Sequence, residues 1–395
     1  MKKTTLFITM LVLLGLNVNA QWGPLVSGSA KNLNGIHFPI SGTGYTVGLT
    51  GTILKTTNAG LNWTAQTSGT NNDLYSVYFT DANTGYAVGD NGTIRKTING
   101  GTTWTACTTG TVARFYGVYF PDANTGYAVG WELGASLGVI YKTDNAGSTW
   151  TGQTSGTNEG LYSVYFTSVN TGYATGGYGE ILYTNNGGTT WTPQVSNTTS
   201  QLNSVYFRNA NTGYAGGTGG IIVKTTDAGV TWTNLFSGTT WDINSVYFKT
   251  DSIGYAAASE VPILKTTDAG TTWFADNVSA GSYYPLSIYF TDFFTGYASC
   301  ESGKILKTYG GTGIEENQST GNMMYIFPNP AENNLTIETR QKSEIEISNI
   351  EGQILKRFET KDHKTDIDIS DFASGVYIIR ATTDKGITTK KFIKE

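Results

Sequence analysis

The sequence predicts an all-β chain, a seven-bladed β-propeller followed by a small β-sandwich. A box ending in tryptophan recurs at Trp63, Trp104, Trp150, Trp191, Trp232 and Trp273 with a period of about 41 residues. That is the length of one four-stranded propeller blade. The 395 residues include 50 Gly, 24 Tyr and 9 Trp, a supply of turn formers and aromatic strand formers. The repeat stops near residue 313, and beyond it Lys, Glu and Ile rise in an alternating pattern.

In chain order, residues 1–20 read as a signal peptide. Lys2 and Lys3 precede an apolar run over 6–16 that is too short for a mature membrane span, and Val18 and Ala20 suit a cleavage site that leaves Gln21 first. No later stretch is a transmembrane candidate. Residues 21–313 form the propeller. Its second repeat shows the plan: Leu74 to Phe79 is an inner strand, Gly85 to Gly89 a second, Thr93 to Thr97 a third, and Trp104 opens a fourth. Asn-Thr-Gly and Asn-Gly-Gly turns lie between them. The third repeat carries extra residues around Trp131 to Leu137.

The seventh repeat has strands at 287–290, 296–300 and 304–308, but its box decays to Tyr309-Gly-Gly-Thr-Gly313 with no tryptophan. The missing strand stands at the other end of the chain, where Gln21-Trp-Gly-Pro-Leu-Val-Ser-Gly-Ser29 matches Asn62-Trp-Thr-Ala-Gln-Thr-Ser-Gly-Thr70. The N-terminal strand is therefore expected to complete the last blade, with Trp22 as its box tryptophan, and to remove an open edge.

The box reads Thr-x-(Asp/Asn)-x-Gly-x-x-Trp. Its polar residues are Asn58, Asn99, Asn145, Asn186, Asp227 and Asp268. The expected role is structural: the side chain accepts from turn amides, Gly takes a positive φ, and Trp packs beneath. This pattern resembles the Asp-box of bacterial sialidases and of photosystem II assembly-factor propellers. With Gly-Tyr-Ala-Val-Gly ahead of the box it is most similar to the latter. The segment Asp81-Ala-Asn-Thr-Gly85, repeated over 122–126, lacks the further acidic ligands of a calcium loop and reads as an Asx turn.

The net charge of −5 and only 14% charged residues argue against nucleic acid. No metal spacing, nucleophile set or phosphate loop is present, and no cofactor is expected. Cys107 and Cys300 fall on different strand types of non-neighbouring repeats and are expected as unpaired core residues. A sialidase needs converging arginines, but the propeller offers only Arg95, Arg114 and Arg208, without an Arg-Ile-Pro motif. A retaining or inverting glycosidase needs two facing carboxylates. Asp73, Asp90, Glu132, Glu159, Glu180, Asp242, Glu260 and Glu301 are available on the loop face, with no pair singled out.

The loops joining fourth to first and second to third strands share that face and vary most between repeats. Arg114, Trp131, Glu132, Tyr178, Trp241, Asp242, Tyr283 and Tyr284 are the candidate ligand-binding residues there. Exposed aromatics on variable loops suit an extracellular glycan or protein. The expectation is a non-catalytic, monomeric binding module. The alternatives are a secreted glycoside hydrolase, with Glu132 and Asp242 as its carboxylates, and a cell-surface scaffold. The resemblance to the photosystem factor implies no ligand, because the arginine-rich surface associated with that family is missing.

Residues 314–324 read as a polar linker and 325–395 as the sandwich. The latter resembles the type A sorting domain of the type IX (Por) secretion system of Bacteroidetes. The matching residues are Pro328, Asn329 and Pro330, then Gly352, then Ser374, Gly375 and Tyr377, and finally Lys391 and Lys394 near the end. The resemblance implies export across the outer membrane through that machinery, with the mature protein released or held at the cell surface.

Overall fold

The computed structural model describes residues 21–309 and 324–394, apart from positions 133, 261–262, 277, 279–280, 293–294, 340, 350–351, 361–362 and 384–385. The expected leader at 1–20 and most of the expected linker lie outside the described residues. The chain divides into two units, Met1–Thr312 and Gly313–Glu395. Among the described residues, no helix is long and apolar enough to cross a membrane.

Among its described residues, the first unit holds seven four-stranded antiparallel sheets. Six are contiguous in sequence, over residues 33–65, 74–107, 114–153, 161–194, 202–236 and 243–275; they are numbered one to six. The seventh combines Pro285–Phe290, Gly296–Cys300 and Lys304–Tyr309 with the N-terminal strand Gln21–Val26. That strand pairs antiparallel with Lys304–Tyr309, Trp22 lying opposite Thr308. The first strand of each sheet packs against that of the next, and that of sheet seven against that of sheet one.

The box builds the same turn six times. The threonine hydroxyl accepts from the glycine amide at 2.8–2.9 Å. The Asn or Asp Oδ1 accepts from the amide four residues on at 2.8–3.0 Å. Each box tryptophan then sets its ring edge-on to a phenylalanine at or near the end of its own first strand. Trp22 meets Phe290 in the same way, and the seven centroid distances are 5.8–6.1 Å.

Neighbouring sheets are joined by one repeated bond. The second-strand tyrosine hydroxyl donates to a box carbonyl of the following sheet: Tyr45 to Gly100, Tyr86 to Ala146, Tyr127 to Gly187, Tyr173 to Ala228 and Tyr214 to Ala269. Tyr297 of sheet seven donates to Ala59 of sheet one at 3.0 Å. The Asp81 and Asp122 stretches are Asx turns, each carboxylate accepting two backbone amides at 2.7–2.9 Å. Cys107 and Cys300 are free thiols, and burial pushes the Cys300 thiol up to about 12.

In the second unit, Met324–Phe327, Asn334–Thr339 and Lys364–Asp368 form one sheet. Glu344–Asn349, Ile354–Glu359, Gly375–Thr383 and Gly386–Lys394 form another. The alternation seen in sequence sends Leu335, Ile337, Ile345, Ile347, Ile379 and Phe392 into one shared core. Asn329 fixes the last strand through its side chain, accepting from the Ile393 amide at 2.9 Å and donating to the Lys391 carbonyl at 3.3 Å. Gly352 takes φ +85° in a turn, and the Tyr377 hydroxyl donates to the Ala373 carbonyl at 2.6 Å.

Candidate functional site

The loop face is built from two repeated pieces, the residue just before each first strand and the tight turn after each second strand. In several sheets the first caps the second of the preceding sheet. Asp73 accepts from the Thr50 amide at 2.7 Å, Asp242 from Gly219 at 2.9 Å, and Asn32 from Ser302 at 2.9 Å. Arg114, the equivalent residue of sheet three but already the first residue of its strand, instead binds the Asp90 carboxylate of the sheet-two turn.

Sheets four and five break this pattern. The capping position in sheet four is Gly160, which has no side chain. A Cβ there would stand 3.3 Å from Trp131. In sheet five it is Gln201, whose amide turns away to donate to Asn203 at 2.7 Å. With neither cap made, a hollow of about 330 Å³ opens, lined by Trp131, Glu159, Gly160, Tyr162, Gly177, Tyr178, Thr199 and Gln201. Tyr178 and Thr199 also border a wider groove of about 650 Å³ that runs along Gln194 to Thr198 beside Glu180. Tyr178 stands at the tip of its turn with φ +49° and is 76% exposed.

Tyr162 of the hollow ends an aromatic row, Tyr75, Tyr116 and Tyr162, with centroids 5.1 and 5.0 Å apart. The Arg114 guanidinium lies 5.7 Å from the Tyr75 ring and 5.9 Å from Tyr116. Burial, then the Glu159 charge, raises the Glu180 carboxyl above its usual range. Burial likewise raises Tyr162, with Tyr116 and Glu159 adding to it. Among the described residues, Glu159 and Glu180 have no cationic partner and no Lys or Arg lines either hollow. Trp131 Nε1 is buried without a hydrogen-bond partner among them. No group of three or more metal-ligating side chains occurs among the described residues.

The residues singled out from sequence thus separate. Trp131 and Tyr178 meet in the hollow. Arg114, Trp131 and Glu132 sit on strands and not in loops, because the additional residues of the third repeat extend its hairpin: Arg114 pairs with Trp131, and Glu132 with Leu137. Glu132 accepts from the Thr111 hydroxyl at 3.4 Å. Trp241 is 43% exposed and Tyr284 40% exposed. Tyr283 is not an exposed aromatic: it is 7% exposed, packed in the core with Trp22 and Tyr255, with the Lys304 ammonium 5.0 Å from its ring. Asp242 is engaged by the Gly219 amide. The three propeller arginines have separate partners: Arg95 donates to the Gly69 carbonyl, Arg114 pairs with Asp90 and Arg208 with Asp251. Sequence reasoning did not single out Tyr162, Gly160 or Gln201. Aligning the residue before each first strand would have found the last two, as the Gly and Gln in a column that elsewhere holds Asn or Asp at three positions.

Residues 16–160 and 148–240 match the family model described as photosynthesis system II assembly factor YCF48. Residues 325–395 match the secretion system C-terminal sorting domain, which marks the chain as a type IX secreted, cell-surface protein. Among solved structures, YCF48 from Cyanidioschyzon merolae is 20% identical with a TM-score of 0.62, over 73% of this chain and 98% of that one. A structure of YCF48 bound to D1 peptide is 19% identical with a TM-score of 0.62, over 73% and 96%. PorZ, a surface component of the type IX secretion system of Porphyromonas gingivalis, is 13% identical with a TM-score of 0.57, over 92% of this chain and 59% of that one. At these identities the likeness is one of fold, and that fold is the β-propeller. No curated protein matches the chain.

Proposed function

Since the chain belongs to the photosynthesis system II assembly factor YCF48 family and carries a secretion-sorting domain, we propose that it is a surface-displayed, non-catalytic binding propeller. On this reading residues 21–313 form a seven-bladed ring closed by the N-terminal strand, and its loop face engages an extracellular protein or glycan. The uncapped hollow of about 330 Å³ carries the reading, since its aromatic walls face solvent where the neighbouring positions are sealed. A propeller of the same fold has been seen with a peptide, YCF48 with D1 peptide, which favours a protein segment. That particular ligand is not transferred, because at 19% identity the likeness is one of fold.

The test is a screen of the mature chain against surface glycans and extracellular peptides, run beside an assay for released sugar. Saturable binding without product is expected, weakened about five-fold or more by Tyr178→Ala because an aromatic contact contributes about 1 kcal/mol. Sugar release abolished by Glu132→Gln or Asp242→Asn would replace this reading with a glycoside hydrolase. An absence of any ligand, with loss of surface organisation on deletion, would replace it with a scaffold.

A further inference from the structure

The hollow and the groove together specify the chemistry of their ligand. A Cβ on Gly177 would stand 2.9 Å from Glu159 Oε2, and the Gly177 carbonyl accepts the Glu180 amide at 2.9 Å, so the two glutamates are neighbours; among the described residues neither has a cation to answer it. Two neighbouring carboxylates left in this state disfavour an anionic ligand and favour a cationic one. The walls around them are aromatic: Trp131, Tyr162 and Tyr178 line the same hollow as Glu159. Aromatic faces attract ammonium and guanidinium groups, and more strongly as water is excluded.

Shape narrows the choice further. The hollow of about 330 Å³ is of the size that takes one long side chain, not an oligosaccharide. It opens at Tyr178 and Thr199 into the groove of about 650 Å³ along Gln194 to Thr198, which has room for the main chain from which such a side chain would hang. Val195 in that stretch is 76% exposed, an apolar contact for a neighbouring ligand residue.

We propose that this site takes a lysine or arginine side chain from an extended peptide segment, with the charge held between Glu159 and Glu180 and the stem against Trp131, Tyr162 and Tyr178. This rests on the binding reading above and gives its ligand a class. It also distinguishes the site from a sialidase pocket, which needs positive charge for a carboxylate.

The probe is a fluorescein-labelled, terminally capped heptapeptide, Gly-Ser-Gly-Arg-Gly-Ser-Gly, titrated by fluorescence polarisation against the full mature chain. Companion probes replace the arginine with lysine or with citrulline, which keeps the shape and removes the charge. A tetramer of glucosamine is the amine-bearing sugar. The arginine and lysine peptides are expected to bind saturably, and the citrulline peptide at least ten-fold more weakly. Glu159→Gln combined with Glu180→Gln should cost at least ten-fold with an unchanged melting temperature. Tyr178→Ala, at an exposed turn tip that cannot unfold the protein, should weaken binding as well. Equal binding of the arginine and citrulline peptides would overturn the proposal, as would undiminished binding by the double variant or a preference for the glucosamine tetramer. If the arginine peptide fails while a neutral peptide or glycan still binds in a Tyr178-dependent way, the cation assignment falls and the binding reading stands. If no probe responds to Tyr178→Ala, both fall.

Discussion

His37 stands where six of the seven first strands carry tyrosine. Tyr78, Tyr119, Tyr165, Tyr206, Tyr247 and Tyr289 follow one another with centroids 4.9–6.1 Å apart, and His37 bridges Tyr289 to Tyr78 at 4.9 Å on each side. Its Nδ1 is buried without a partner among the described residues. Burial pulls the imidazole pKa down to about 3. Because the folded value lies below the unfolded one near 6.5, stability is complete above about pH 6.5 and falls as pH drops from there toward 3. The ring keeps partial exposure, so the loss is expected at about 1–2 kcal/mol, well under the full shift. Urea titrations at pH 7 and pH 4.5 should show this loss, and His37→Tyr should remove its share. At the box turns, Ala228 and Ala269 hold φ +57° and +59°, where the second and fourth boxes use Gly100 and Gly187. Relief of left-handed strain outweighs the greater freedom of unfolded glycine. Ala228→Gly and Ala269→Gly should each raise stability by about 0.5 kcal/mol in urea titration.

At the scale of elements, the N-terminal strand is the piece whose placement depends on the greatest sequence separation. Trp22 is fully buried, edge-on to Phe290 at 5.8 Å and to Tyr255 at 6.2 Å, and its Nε1 donates to Asp276 at 3.0 Å. Trp22→Ala should therefore cost about 3–5 kcal/mol, the range for a large aromatic removed from a core, and an unaltered unfolding midpoint would refute this account of the strand. The match of residues 21–29 to residues 62–70 was legible in sequence, while the register that sets Trp22 opposite Thr308 came only with the structure. The hairpin of sheet three was not legible. Its added residues lack a strand signature, and only their ladder, with Trp131 opposite both Arg114 and Gly138, turns an expected loop into strand.

The whole molecule divides into two units, and the C-terminal one carries the secretion-sorting domain. The sorting domain has its own core of Leu335, Ile337, Ile347 and Phe392, so removing residues 325–395 should leave the first unit folded while abolishing surface delivery. Cell fractionation of a type IX-competent host, followed by circular dichroism of the retained protein, checks both halves. Normal surface delivery of the truncated chain would refute the sorting role. Within the first unit, the serine hydroxyls of the first strands accept the amide of a valine or isoleucine on the next at 3.2–3.4 Å, so sheets are bound by hydrogen bonds as well as by packing.

Sequence alone determined what is local and periodic in this protein. The box turns, the strand phases, the N-terminal match and the sorting motifs each depend on residues whose spacing along the chain dictates their geometry. Tertiary structure alone decided which residues face each other across sheets. Asp242 looked like a free carboxylate until the Gly219 amide of the preceding sheet was placed against it. Tyr283 looked like a surface aromatic until it packed with Trp22, more than 250 positions away in sequence. Glu159 and Glu180 became neighbours only when the turn after a second strand folded back beside the start of a first. A repeat specifies its own turns through short-range bonds. The gap between two repeats is set by both at once, so a missing cap at Gly160 and Gln201 becomes a hollow only when the sheets stand side by side.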